Sequence, residues 1–169
     1  MTDHPIGVFV NDPVAGIRPA VDLHAGHPGV EAEGTAVRSL GRHTLELHLL
    51  AQASQQSNIS TGATRYTLGG FQRLSGYQTG QLLGNHALLV RLGWMMRLSQ
   101  TPTLTRGFFV GATLEAGNTW LERRDIALRG LRTGMSLYLG ADTGVGPLYV
   151  GITYAPKGQA GLALSIGRP

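Results

Sequence analysis

Few side chains in this 169-residue sequence have the types and spacing that chemistry needs. There is no cysteine, which removes thiolate nucleophiles, disulfides and thiolate metal sites. No Gly-x-Ser-x-Gly elbow, His-Glu-x-x-His pair or phosphate-cradling glycine loop occurs. His24 and His27 supply two imidazoles without a third ligand, a poor basis for a metal site. The chain therefore reads as a non-enzyme with no cofactor. What remains is a set of separated charges: Arg91, Arg97, Glu115, Arg132 and Asp142. Such residues act by solvating a wet interior, by pairing within it, or by lining a pore.

The elements that would position these charges are strands. Period-2 alternation runs through most of the sequence and helical periodicity is scarce. It predicts eight antiparallel strands over 17–25, 44–55, 63–69, 85–98, 107–119, 131–142, 147–155 and 160–167. Sorted by parity, Leu45, Leu47 and Leu49 oppose Glu46 and His48. Leu88, Val90, Leu92 and Trp94 oppose Arg91 and Arg97. Phe108, Val110, Ala112 and Leu114 oppose Glu115, and Met135, Leu137 and Leu139 oppose Arg132, Ser136, Tyr138 and Asp142. Every charge inside the predicted strands falls on the polar parity, while Arg106 and Arg168 share the apolar parity just beyond strand ends. Trp94, Trp120, Tyr138, Tyr149 and Tyr154 are candidates for aromatic girdles.

Alternation does not say which face points inward, because a soluble ligand-binding barrel alternates too. Three features favour the inverted, membrane form. The polar face is rich in Gly, Ser, Thr and Arg. Strand lengths bracket the ~9–11 residues that cross a bilayer with tilt. Loops 26–43, 70–84 and 120–130 are long, whereas 56–62, 99–106 and 143–146 are shorter, as in bacterial barrels with long external loops. The charged fraction of 14% is low for a soluble domain, and Lys157 is the only lysine. A net charge of +4 from scattered arginines lacks the clustering of a nucleic-acid footprint, so no nucleic-acid partner is expected. Met1-Thr2-Asp3-His4 lacks the basic and apolar regions of an export signal, which is expected to have preceded this segment.

Two motifs carry a resemblance. Leu68-Gly69-Gly70-Phe71-Gln72-Arg73-Leu74-Ser75-Gly76-Tyr77 interrupts the strand pattern, and Thr113-Leu114-Glu115-Ala116-Gly117-Asn118-Thr119-Trp120 continues it. In that order, with Gly146-Pro147-Leu148-Tyr149 and the final Ala163–Pro169 segment, they resemble the C-terminal half of the BamA-like outer-membrane barrel superfamily (the bacterial surface antigen family). The nearest likeness is to the barrels of bacterial patatin-like phospholipases. The likeness spans roughly 40–169 and implies an N-terminal segment 1–14 followed by an outer-membrane β-barrel domain over 15–169. It implies that the loop folds back into the lumen with Arg73, Gly76 and Tyr77 at its tip, although Leu74-Ser75 loosens the family's tight spacing. It further implies that Arg73 pairs with Glu115, next to Gly117. The phospholipases keep their catalytic residues in a separate domain, so the likeness implies no lipase activity. It does imply membrane lipid as surroundings, the barrel assembly machinery as a partner and an activity in protein insertion or translocation. A passive pore or structural surface barrel is the alternative. Pro169 stands where the family usually places an aromatic residue, so the expectation is that either a residue was lost or that recognition signal is absent.

An eight-stranded closed barrel has room only for its own side chains. A fifteen-residue infolded loop needs a wider one. The expectation is a homodimer with twofold symmetry, two eight-stranded halves meeting first strand to last to give sixteen.

Overall fold

The computed structural model describes residues 6–8, 17–26, 29–54, 65–99, 107–143 and 146–167. The fold is all-β. The strands are β1 (Ile6–Val8), β2 (Ile17–Gly26), β3 (Gly29–Leu40), β4 (His43–Ser54), β5 (Tyr66–Leu68), β6 (Leu82–Gly84), β7 (His86–Ser99), β8 (Gly107–Trp120), β9 (Arg132–Thr143), β10 (Gly146–Tyr154) and β11 (Gly161–Ile166). Nine of them form one antiparallel meander in the order β1-β2-β3-β4-β7-β8-β9-β10-β11, and β5 and β6 form a separate hairpin. Among the described residues β1 and β11 are sheet edges that do not pair with each other, so the sheet is open.

The strand readings for β4, β7, β8, β9, β10 and β11 match the sequence expectation to within a few residues. Two readings need correction. The expected long loop 26–43 contains the twelve-residue strand β3, closed onto β4 by the turn at Gly41–Arg42. Its small residues Gly34, Thr35 and Ala36 blur the alternation that revealed the other strands, and only its pairing to β2 and β4 along its whole length defines it. Conversely, among its described residues the expected strand 63–69 forms β5, which leaves the main sheet and pairs with β6. The two errors cancel in number: eight long strands remain, with the short β1 added inside the expected 1–14 segment. His27, Arg106, Arg168 and the segment 56–62 lie outside the described residues.

Pairing register carries each parity row across the sheet. Leu47, Leu92, Leu114 and Met135 form one row, and Leu45, Trp94, Ala112, Leu137 and Ile152 the next. These rows are exposed: Leu114 is 59% and Leu137 50% accessible. A groove of about 730 Å³ runs over them between Ala36 and Tyr154. The opposite rows hold Glu46, His48, Arg91, Thr113, Glu115, Ser136 and Tyr138, and the chain covers them with its own loop. The small hydrophobic core lies between that loop and the sheet, built from Leu50, Leu68, Leu74, Tyr77, Leu82, Ala87, Leu89 and Ala155. The arrangement is inside-out relative to a soluble sandwich, whose large apolar residues meet in the middle. One charge breaks the pattern: Arg38 pairs with Leu45 in an apolar row, close to the Gly41–Arg42 turn.

Candidate functional site: a loop clamped on the polar face

The loop 69–81 leaves β5 and returns through β6, so the hairpin register Leu68↔Leu82 fixes both of its ends. Within it, Gly69 N donates to Arg73 O (2.7 Å), Gly70 N to Tyr77 O (3.0 Å) and Tyr77 N to Leu74 O (3.3 Å). Folding this tightly forces left-handed backbone at Gln72 (φ 60°) and Leu74 (φ 86°), neither of which is glycine. Such residues cost of order 1–3 kcal/mol each and persist only where surroundings over-determine them.

Glu115 supplies that constraint at Leu74. Its carboxylate is 3% exposed and accepts four hydrogen bonds. The amides of Leu74 (2.9 Å) and Ser75 both reach Oε2, while the hydroxyls of Ser75 (2.9 Å) and Thr113 (2.5 Å) reach Oε1. Ser136 Oγ lies 2.6 Å from Thr113 Oγ1 and extends the network to β9. Left-handed Leu74 turns two successive N–H groups toward one anion, the geometry of a backbone nest. The Ser75 hydroxyl also accepts from Gln72 N (3.0 Å), closing the turn on itself.

A second clamp is cationic. Arg91 on β7 pairs with Glu46 on β4 at 2.6 Å and donates from its other nitrogen to Gln72 O at 3.0 Å. The Arg91 side chain is only 14% exposed and tied to loop backbone, while the Glu46 side chain keeps partial access to solvent. A third clamp is aromatic. Phe71 enters a cluster with Phe109, Tyr138 and Tyr149, whose ring centroids lie 5.6–6.5 Å apart, mostly edge to face. The Tyr138 ring lies across Gly111 and the Phe109 ring across Gly140, positions where any Cβ would collide with the ring. Finally, the loop tip meets the β10–β11 connection. Gly76 O accepts from Gln159 N at 2.8 Å, and a Cβ on Gly76 would lie 2.5 Å from the Ala155 amide nitrogen.

Several expected site residues converge here. Gly76 and Tyr77 sit on the sheet, with Arg132 5.5 Å above the Tyr77 ring. Gly117 lies under Leu68 and against the Leu88 carbonyl, and Arg91 holds the loop. The expected Arg73–Glu115 pair does not form. Arg73 is exposed, and Glu115 is satisfied by amides and hydroxyls instead. The physical reason is that the amides of Leu74 and Ser75 and the hydroxyls of Ser75 and Thr113 already occupy both oxygens of the carboxylate. Arg97 and Asp142 do not join the loop either. Both are exposed near the opposite end of their strands, Arg97 N bonding to Arg42 O at 2.9 Å. Tyr138 and Tyr149 belong to the inner cluster rather than to a girdle. Trp94, stacked on His43 with ring centroids 5.9 Å apart, and Tyr154 stand on the apolar face in adjacent rows. Sequence reasoning missed Glu46, Phe71, Ser75, Thr113 and Ser136. For Glu46, Thr113 and Ser136 the signal was present, since each shares polar parity with Arg91 or Glu115.

No family model and no curated protein matches this chain. Fold and site together define an all-β protein with one open antiparallel sheet, apolar on its bare face and clamped to an infolded loop on the other.

Proposed function

We propose that this chain is a non-catalytic wall of an outer-membrane β-barrel, with lipid against its apolar rows and the loop 69–81 plugging a polar lumen. The observation carrying this reading is the inversion of burial: Leu45, Leu114, Leu137 and Ile152 are bare while Glu115 and Arg91 are enclosed. Soluble monomers rarely expose apolar patches beyond a few hundred Å². In lipid the same rows are solvated, and each strand's backbone groups are met by its neighbours. The two open edges are closed by a second copy, giving two eight-stranded halves of one sixteen-stranded barrel. The activity belonging to this reading is the one the sequence resemblance implies, protein insertion or translocation. The clamped loop makes the resting barrel a plugged one.

The test is refolding from urea with and without phospholipid vesicles. Strand circular dichroism and protease resistance are expected only with vesicles. A monodisperse, cooperatively folded protein in plain buffer would overturn the reading. That outcome would favour the second reading, a soluble sheet that binds an apolar ligand in the 730 Å³ groove.

A further inference from the structure

The short strand β1 occupies the place that a second copy needs, and its direction decides the matter. Every neighbouring pair in the sheet is antiparallel, so strand direction alternates from β1 to β11. With nine strands, β1 and β11 run the same way. A twofold rotation about a barrel axis preserves strand direction, so the partner's β11 would meet β1 in parallel. Counted from β2, eight strands remain, and β11 then meets β2 antiparallel. Bacterial single-chain membrane barrels are antiparallel and even in strand number. β1 holds β2 through only three register pairs, Ile6↔Leu23, Gly7↔Asp22 and Val8↔Val21. β11 presents six residues, and its outward Leu162 and Leu164 are 88% and 73% exposed, more than any leucine on strands β3 to β10.

We infer that β1 is a removable edge strand: it covers β2 in the single copy and gives way to β11 of a second copy when the barrel closes. The inference rests on the barrel reading above and adds a competition to it. A three-residue ladder protects an otherwise bare edge, as short edge strands do elsewhere. It yields to a six-residue ladder that also covers Leu162, Leu164 and Ile166 against a neighbouring strand. The partner's β2 edge is freed by the same step, so one exchange at each seam closes the ring with no edge left over.

The absence of cysteine makes a lock possible. In the full chain Ile6→Cys with Leu23→Cys places two thiols at directly paired positions. The measurement is the mass of the detergent-solubilised protein, oxidised and reduced, by native mass spectrometry. The expected result is a monomer with the crosslink closed and a dimer after reduction, with at least a tenfold change in dimer fraction at equal concentration. Dimers in both states would overturn the competition while leaving the paired barrel standing. Monomers in both states, with wild type also monomeric, would overturn the competition and the paired barrel together. Failure of the thiols to crosslink within one chain overturns the β1–β2 register itself. A second variant, with residues 6–8 deleted, removes the three register pairs of β1 and raises the dimer fraction under the same conditions; no change counts against the inference.

Discussion

The two faces of the sheet are made by the same strands and differ in every physical respect. On the polar face, Glu115, Arg91 and Phe71 hold a loop through three hydrogen bonds to the Glu115 carboxylate, one from Arg91 to the Gln72 carbonyl, and a ring cluster. On the apolar face Leu47, Leu92, Leu114 and Met135 stand in exposed rows, with none of the described residues packed above them. The lesson is that intramolecular packing here serves the polar residues, and the apolar ones are left for surroundings. A substitution on the inner face should therefore act through named partners. One on the outer face should act through the medium, and its cost should change when the medium does.

The largest effect is expected at Glu115. Glu115→Ala strands the amides of Leu74 and Ser75 in a buried site, and should cost about 3–5 kcal/mol of unfolding free energy in vesicles. Urea titration reads this directly. Next comes Leu137→Arg on the bare face, expected to cost about 2–4 kcal/mol in a bilayer, since an arginine there sits near mid-strand. If the face were simply wet, the cost would stay within about 0.5 kcal/mol, as for ordinary surface changes. Comparing the same variant in lipid and in a fluid detergent sharpens the contrast.

A pair of glycines gives a smaller effect. A Cβ on Gly134 would collide with the Ser75 carbonyl, whereas one on Gly93 would meet only the Glu46 Cβ at 3.5 Å. Gly134→Ala should cost about 1–3 kcal/mol by pushing the loop off the sheet, and Gly93→Ala about 0.5 kcal/mol or less. Protease cleavage within 69–81 distinguishes displacement of the loop from global loss. The smallest effect is expected at Arg73, exposed and outside the Glu115 network. Arg73→Ala should change stability by about 0.5 kcal/mol or less, and its effect should add to that of Glu115→Ala. A coupling above about 1 kcal/mol in that double-mutant cycle would restore the direct pair that the geometry denies.

Much of this architecture was legible in residue order. Alternation over Thr44–Ser54 and Arg132–Asp142, broken chiefly at Leu50, identified both the strands and the side that holds charge, because a pleat assigns parity without reference to anything distant. β3 escaped because Gly34, Thr35 and Ala36 give no contrast between faces, and pairing information resides in β2 and β4. β5 was overread, since Tyr66-Thr67-Leu68 has strand chemistry but its partner is Leu82–Gly84, across the loop. Within the site, the charged members stood out and their partners did not. Ser75 and the Leu74 amide matter through backbone turns that begin at left-handed Gln72 and Leu74, and no local preference announces left-handed leucine. The loop motif suggested Arg73 and Glu115 as a pair, whereas backbone amides of Leu74 and Ser75 and two hydroxyls occupy that carboxylate.

The account stands on which medium touches the apolar rows, and a nitroxide scan of β9 measures it. Single cysteines at each position from Thr133 to Ala141, spin-labelled in a chain otherwise free of thiols, are read in phospholipid vesicles for collision with oxygen and with a water-soluble nickel chelate. The account predicts a period of two, with Met135, Leu137 and Leu139 accessible to oxygen and shielded from nickel, and Ser136 and Tyr138 shielded from both beneath the loop. Nickel reaching Leu137 as freely as a surface turn, or a flat profile along the strand, would contradict it.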